Sequence, residues 1–279
     1  MGFYEEQILV KADLHNYAQT DNVINECFER IANQAQRSMG ENSVVGIVEV
    51  HEERYSKFKG NTAFLAYEDF GHAVYLPSKK VLVLRGVRTF TQDDSASILA
   101  FGIPENRYLP RRKDIGEMIQ DAHEKYKAVI IAPQSQRLFK YLAGHEQALR
   151  QVDAVETFNG SYSIKRDSNN NAKLFHDMMN TKHLHFNLGS LVTSGGHSIS
   201  EIGRSWTLLP HLDLTDSETL KESLREAIKL PKPEKGFHKD SSLSTKALAY
   251  IHAAKLKFWW ALKSKERKTT LIDGLQVAE

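Results

Sequence analysis

The stretch Ile115-Gly116-Glu117-Met118-Ile119-Gln120-Asp121-Ala122-His123-Glu124-Lys125-Tyr126-Lys127-Ala128-Val129-Ile130-Ile131-Ala132-Pro133 holds a complete helix-then-strand unit. Ile115, Met118, Ile119 and Ala122 recur at three- and four-residue spacing, which predicts one apolar face on a helix over 112–126. Residues 128–132 form an unbroken apolar run, the pattern of a strand covered on both faces, and Pro133 ends it because it offers no N–H to a sheet. Toward the C-terminus the alternation repeats: helical patterns to about residue 151, strand 153–158, helix 170–181, strand 184–193, a Gly195-Gly196 turn, strand 205–209 and helix 216–228. Toward the N-terminus lie strand 8–14 and a helix over 22–39. That helix carries Val23, Ile24, Cys27, Phe28, Ile31, Ala32 and Ala35 on its apolar stripe, with Thr20 or Asp21 as its N-cap. Strand 44–50 follows, then 63–67 and 73–76 as a hairpin around Gly71, then 81–87 and 97–103. Strands alternating with helices predict parallel strands covered by helices, and so many units favour a barrel over an open sheet. In an α/β barrel, chemistry sits at the C-terminal ends of the strands.

Composition narrows the function classes. The 279 residues are 41% hydrophobic and 26% charged, which excludes wholesale disorder. Lys and Arg number 37 against 35 Asp and Glu, so the formal charge of +2 gives no global field that argues for nucleic acid. The single cysteine, Cys27, excludes an internal disulfide framework and a cysteine-rich zinc module. No apolar run approaches the roughly 18 residues of a membrane span. The N-terminal Met-Gly-Phe-Tyr-Glu-Glu lacks the apolar core of a signal peptide, so a cytoplasmic protein is expected. Residues 1–228 read as the barrel, 229–240 as a linker rich in Pro and Lys, and 241–279 as a basic C-terminal helix and tail. Within the latter, Leu243, Ala247, Ile251, Ala254, Phe258 and Leu262 keep helical spacing. Lys246, Lys255, Lys257, Lys263, Lys265, Arg267, Lys268, Trp259 and Trp260 lie among them. Such a helix either packs on the barrel with a solvated basic face or contacts nucleic acid or a membrane surface.

The strand ends carry the residues that bear chemistry. They read Asp13-Leu14-His15-Asn16-Tyr17 with Thr20-Asp21-Asn22, then Glu49-Val50-His51, then Arg85-Gly86-Val87-Arg88-Thr89, then Ala132-Pro133. Val155-Glu156-Thr157-Phe158-Asn159-Gly160 and Thr193-Ser194-Gly195-Gly196-His197 complete the series. In this order the segments resemble the PHP (polymerase and histidinol phosphatase) family over about residues 8–209. The resemblance implies an α/β fold, a distorted, TIM-like (βα)7 barrel with a C-terminal helical extension, and metal-dependent phosphoester hydrolysis with up to three metal ions. It also implies that Glu156 and Asn159 shape the barrel mouth.

The departures from the family pattern fall on ligand positions. Where the first two metal sites need His, Glu, His and Asp, this chain has Tyr17, Arg88, Ala132 and Gly195, and only His15 keeps its place. The third site retains Asp21, His51 and His197, one carboxylate and two imidazoles, a partial shell that suits one divalent Zn, Mn or Fe. Arg88 reverses the sign of a bridging carboxylate. Two unit charges 4 Å apart interact by about 4 kcal/mol at an effective dielectric near 20, and a dication doubles that as repulsion. Arginine does not escape by losing its proton. The expectation is therefore a hydrolase with at most one metal, in which Arg88 orients a phosphorylated or carboxylated substrate and His15 contacts it. The competing readings are a non-catalytic protein that binds such an anion or a partner in the same pocket, and a nucleic-acid binder that uses the basic helix. Plainer roles remain for each residue: Asp21 as a helix cap, Arg88 in a buried ion pair with Glu156, and His183-x-His185 as packing histidines on a strand.

Overall fold

The computed structural model describes residues 9–19, 28–49, 54–60, 66–162, 166–181 and 186–230. The chain divides into two units, Met1–Asp240 and Ser241–Glu279. The second unit, and with it the expected 242–264 helix, lies outside the described residues, as do Asp21, Cys27, His51, His183 and His185. In chain order the elements are β1 (Leu9–Gln19), α1 (Phe28–Met39), β2 (Ser43–Glu49), α2 (Arg54–Gly60), β3 (Glu68–Asp69), β4 (Ala73–Leu76), β5 (Val81–Phe90), β6 (Ser97–Phe101) and α3 (Ile115–Tyr126). There follow β7 (Val129–Ala132), α4 (Gln136–Gly144), α5 (Glu146–Arg150), β8 (Ala154–Asn159), α6 (Arg166–Thr181), β9 (Gly189–Thr193), β10 (Gly196–Ser198), β11 (Thr207–Pro210) and α7 (Ser217–Lys229).

The strands form one mixed sheet in the order β10-β1-β2-β5-β6-β7-β8-β9. β1, β2 and β5 pair in parallel, as do β7, β8 and β9. β9 and β10 are joined by Ser194 and Gly195 alone, and β10 pairs with β1, so the sheet is nearly closed into a barrel. The expectation of parallel strands fails at β4, β6 and β11. β4 and β6 both run antiparallel to β5, to which short connections join them without a crossover helix, β6 is also antiparallel to β7, and β11 is antiparallel to β1.

Alternation along each strand sorts the core into layers. Ala12, Leu14, Leu82, Leu84, Leu99, Phe101, Val129, Ile131, Ala154 and Leu191 cluster on one face. The opposite face packs under helices. Ile115, Met118, Ile119 and Ala122 of α3 cover Ile130 and Ala132, while Phe28, Ile31, Ala32 and Ala35 of α1 cover Val45 and Ile47. Asp114 caps α3 by accepting from the backbone N–H groups of Gly116 and Glu117, and Lys127 closes it at φ 49°. Asp216 caps α7 in the same way. Among the described residues no helix is long and apolar enough to cross a membrane.

Candidate functional site at the barrel mouth

The C-terminal ends of β1, β5 and β8 and the β9–β10 turn bring His15, Tyr17, Arg88, Glu156, Asn159 and His197 together. On β8, Glu156 follows Ala154 by two residues and takes the same inward face, where it is fully buried. Its Oε1 accepts from His15 Nδ1 at 2.7 Å, Asn159 Nδ2 at 3.0 Å and Thr193 Oγ1 at 2.6 Å. Its Oε2 is buried without a hydrogen-bond partner. Burial pushes this carboxyl up, but the pairing with His15 and the hydrogen bonds from Thr193 and Asn159 outweigh it, so its pKa lies below the usual glutamate value.

His15 is engaged at both ring nitrogens, Nδ1 with Glu156 and Nε2 with the Tyr17 hydroxyl at 3.0 Å. Arg88 donates from a terminal nitrogen to the same hydroxyl, and from Nε and its other terminal nitrogen to Ser97 Oγ at 3.1 and 3.0 Å. Its guanidinium lies 4.8 Å from the centroid of the Phe90 ring. The expected ion pair between Arg88 and Glu156 is not what forms: Glu156 pairs with His15, and Arg88 turns to Tyr17 and Ser97. The exposed His197 stacks on Tyr17 with centroids 5.1 Å apart, and its backbone N–H donates to Glu201 Oε2 at 2.8 Å.

The turn that leads into His197 of β10 is fixed by Asp13. One carboxylate oxygen accepts from Ser194 N at 2.9 Å and the other from Gly203 N at 2.8 Å. Full burial still wins over these donors and pushes the Asp13 carboxyl up to about 6. Gly195 stands where the family resemblance places an Asp ligand. Its φ is +59°, and a Cβ there would meet Asn159 Oδ1 at 2.1 Å, so this backbone has no room for a side chain.

These contacts test the fit of a multinuclear centre. Arg88 and Tyr17 occupy two of its ligand positions, Ala132 is buried beneath α3, Gly195 admits no side chain, and both His15 nitrogens are engaged. Among the described residues no group of three or more His, Cys, Asp and Glu side chains could hold a metal ion. The described residues by themselves do not supply the donor set of a two- or three-cation cluster. Of the single-metal set, only His197 is among the described residues; Asp21 and His51 lie outside them. Sequence reading assigned Glu156 and Asn159 to shaping the mouth. It missed that Glu156 is the direct partner of His15, although the i, i+2 placement of His15 and Tyr17 on a strand signals that their side chains share a face.

No family model and no curated protein matches the chain. Its fold is similar to endonuclease Q in complex with a 27-mer duplex substrate carrying an abasic lesion, with a TM-score of 0.53 and 15% identity over 84% of this chain. The lesion-specific endonuclease Q of Pyrococcus furiosus gives 0.51 and 15% over 82%. PsfC of Pseudomonas syringae gives 0.51 and 10% over 90% of this chain and 99% of its own. The chain spans 60% and 58% of the length of the two endonuclease chains.

Proposed function

We propose that this domain, PHP-type in fold and sharing that fold with endonuclease Q, binds and hydrolyses a phosphoester at the mouth of its barrel with no more than one divalent metal. The observation that carries this reading is the position of Arg88, a half-buried guanidinium that meets Tyr17 where the family resemblance calls for a bridging carboxylate. A planar fork of donors binds phosphate oxygens bidentately and stabilises the charge that develops on them. Asp21, His51 and His197 would hold the one Zn, Mn or Fe, and such an ion supplies a water acidified for attack. The share of the work derived from this chain's own residues is anion capture by Arg88 and proton handling by His15, whose Nδ1 is tied to Glu156.

Protein purified free of metal and reloaded with Zn, Mn or Fe tests this on phosphomonoester and phosphodiester substrates. Turnover by a form with one metal or none, and a KM raised at least tenfold in Arg88→Gln, support the reading. A second reading is favoured by the engagement of both His15 nitrogens: a non-catalytic pocket for a phosphorylated or carboxylated ligand. Phosphate binding that Arg88→Gln abolishes, without turnover in any metal-loaded form, would establish it. Nucleic acid enters as a substrate class through the duplex held by endonuclease Q, and the Lys-rich segment 246–268 would supply phosphate contacts.

A further inference from the structure

We infer that Tyr17 is a nucleophile: its phenol oxygen accepts the phosphoryl group, with His15 as its base, Glu156 as the residue that positions that base, and Arg88 as the clamp on the attacking oxygen. This deepens the hydrolase reading and rests on it.

Hydrogen-bond polarity orders a chain of protons when His15 is the neutral imidazole. Arg88 can only donate and an ionised Glu156 can only accept. With Glu156 ionised and His15 neutral, the single imidazole proton sits on Nδ1. Nε2 then turns its lone pair to the Tyr17 hydroxyl, 3.0 Å away, which donates to it while accepting from Arg88. Nucleophile, base and buried orienter stand in hydrogen-bond sequence, the arrangement that activates hydroxyl nucleophiles in general. The geometry is held on each side. Thr193 and Asn159 fix the Glu156 oxygen, His197 stacks on the Tyr17 ring, and Ser97 holds the guanidinium.

The steps balance. The Tyr17 oxygen bonds to phosphorus as His15 Nε2 takes its proton. The bond from phosphorus to the leaving oxygen breaks, its electron pair goes to that oxygen, and Nε2 returns the proton there. In the second half, Nε2 takes a proton from water, the water oxygen bonds to phosphorus, and the phenolate leaves toward Arg88 and regains its proton from His15. A Tyr17 that only fills the space vacated by a metal ligand would do none of this.

Two measurements on the full chain test the assignment. The first needs no turnover. An arylsulfonyl fluoride at neutral pH, mapped by peptide mass, should label Tyr17 ahead of the other tyrosines, and at least tenfold more slowly in His15→Gln and Arg88→Gln. Nitrogen NMR should find His15 protonated at Nδ1 in the wild type and mixed between tautomers in Glu156→Leu, which removes the acceptor that selects Nδ1, a change that a packing role for Glu156 would not produce. The second uses p-nitrophenyl phosphate with rapid acid quench. A single phosphoryl adduct should map to Tyr17, and Tyr17→Phe, its fold checked by circular dichroism, should lose roughly a thousandfold in kcat. Turnover at the wild-type rate in Tyr17→Phe, or wild-type turnover with no adduct at any quench time, overturns the inference and leaves the hydrolase reading standing. If the wild type turns nothing over, the hydrolase reading fails and the labelling decides alone: selective labelling upholds an activated Tyr17, and labelling no faster than at other tyrosines overturns it.

Discussion

Each buried acid at the mouth answers to pH with its own sign. Glu156 lies below its ordinary value, so its contribution to stability is complete above the unfolded-state pKa and is lost as pH falls through the lower folded value. Asp13 is the reverse. Its carboxyl is pushed up to about 6, so the folded state holds that proton more tightly than the unfolded chain, and the contribution present at low pH is lost as pH rises toward 6. Urea midpoints measured from pH 4 to pH 7 should therefore fall more in wild type than in Asp13→Asn, and equal slopes would show that Asp13 ionises normally. Glu156→Gln keeps an acceptor for His15, Asn159 and Thr193 but sets an amide NH2 where Oε2 now stands buried and unpaired. An unsatisfied buried donor costs about 1–3 kcal/mol, which equilibrium unfolding in urea should show. Arg88 was legible as a change of sign because a single residue type carries it. Its partners were not, since Tyr17 and Ser97 reach it through strand pairing that no local pattern encodes.

At the scale of elements, periodicity located most strands and helices and said nothing about strand direction. An apolar run marks Ser97–Phe101 as a strand, yet its antiparallel pairing with β5 follows from the short return after Phe90, a property of the connection and not of the strand residues. The three-residue β10 is too short for any periodic signal, and Asn169-Asn170-Asn171 lie inside α6, which begins at Arg166. Caps were easier to read: Asp114 and Asp216 stand before apolar periodic runs and accept from the backbone as that position requires. Asp114→Ala should cost about 1 kcal/mol by thermal or urea unfolding. Gly46 tests the β1–β2 contact more severely. A Cβ there would lie 2.3 Å from the Leu14 carbonyl oxygen, so Gly46→Ala must force β1 and β2 apart directly beneath His15. Overpacking of this kind costs about 1–3 kcal/mol or more, and a Gly46→Ala protein that melts with the wild type would contradict the close approach.

Over the whole molecule, a barrel fold reaches solved structures with which the chain shares no more than 15% identity, and its strand ends carry a different set of charges from the one the motif order implies. Fold was legible because apolar alternation survives divergence. The pairing of His15 with Glu156 was not legible, since it is made across 141 residues of chain. Nucleic-acid binding, if it belongs to the basic segment, should weaken as salt rises and vanish in a chain ending at Asp240; the same binding in the shortened chain would remove that segment from the account. The central claim is that a permanent cation at position 88 excludes a metal cluster. Elemental analysis of the full chain, purified without metal and then reloaded with excess Zn or Mn, reads it directly. The account predicts no more than one equivalent per chain, and two or three retained equivalents would contradict it.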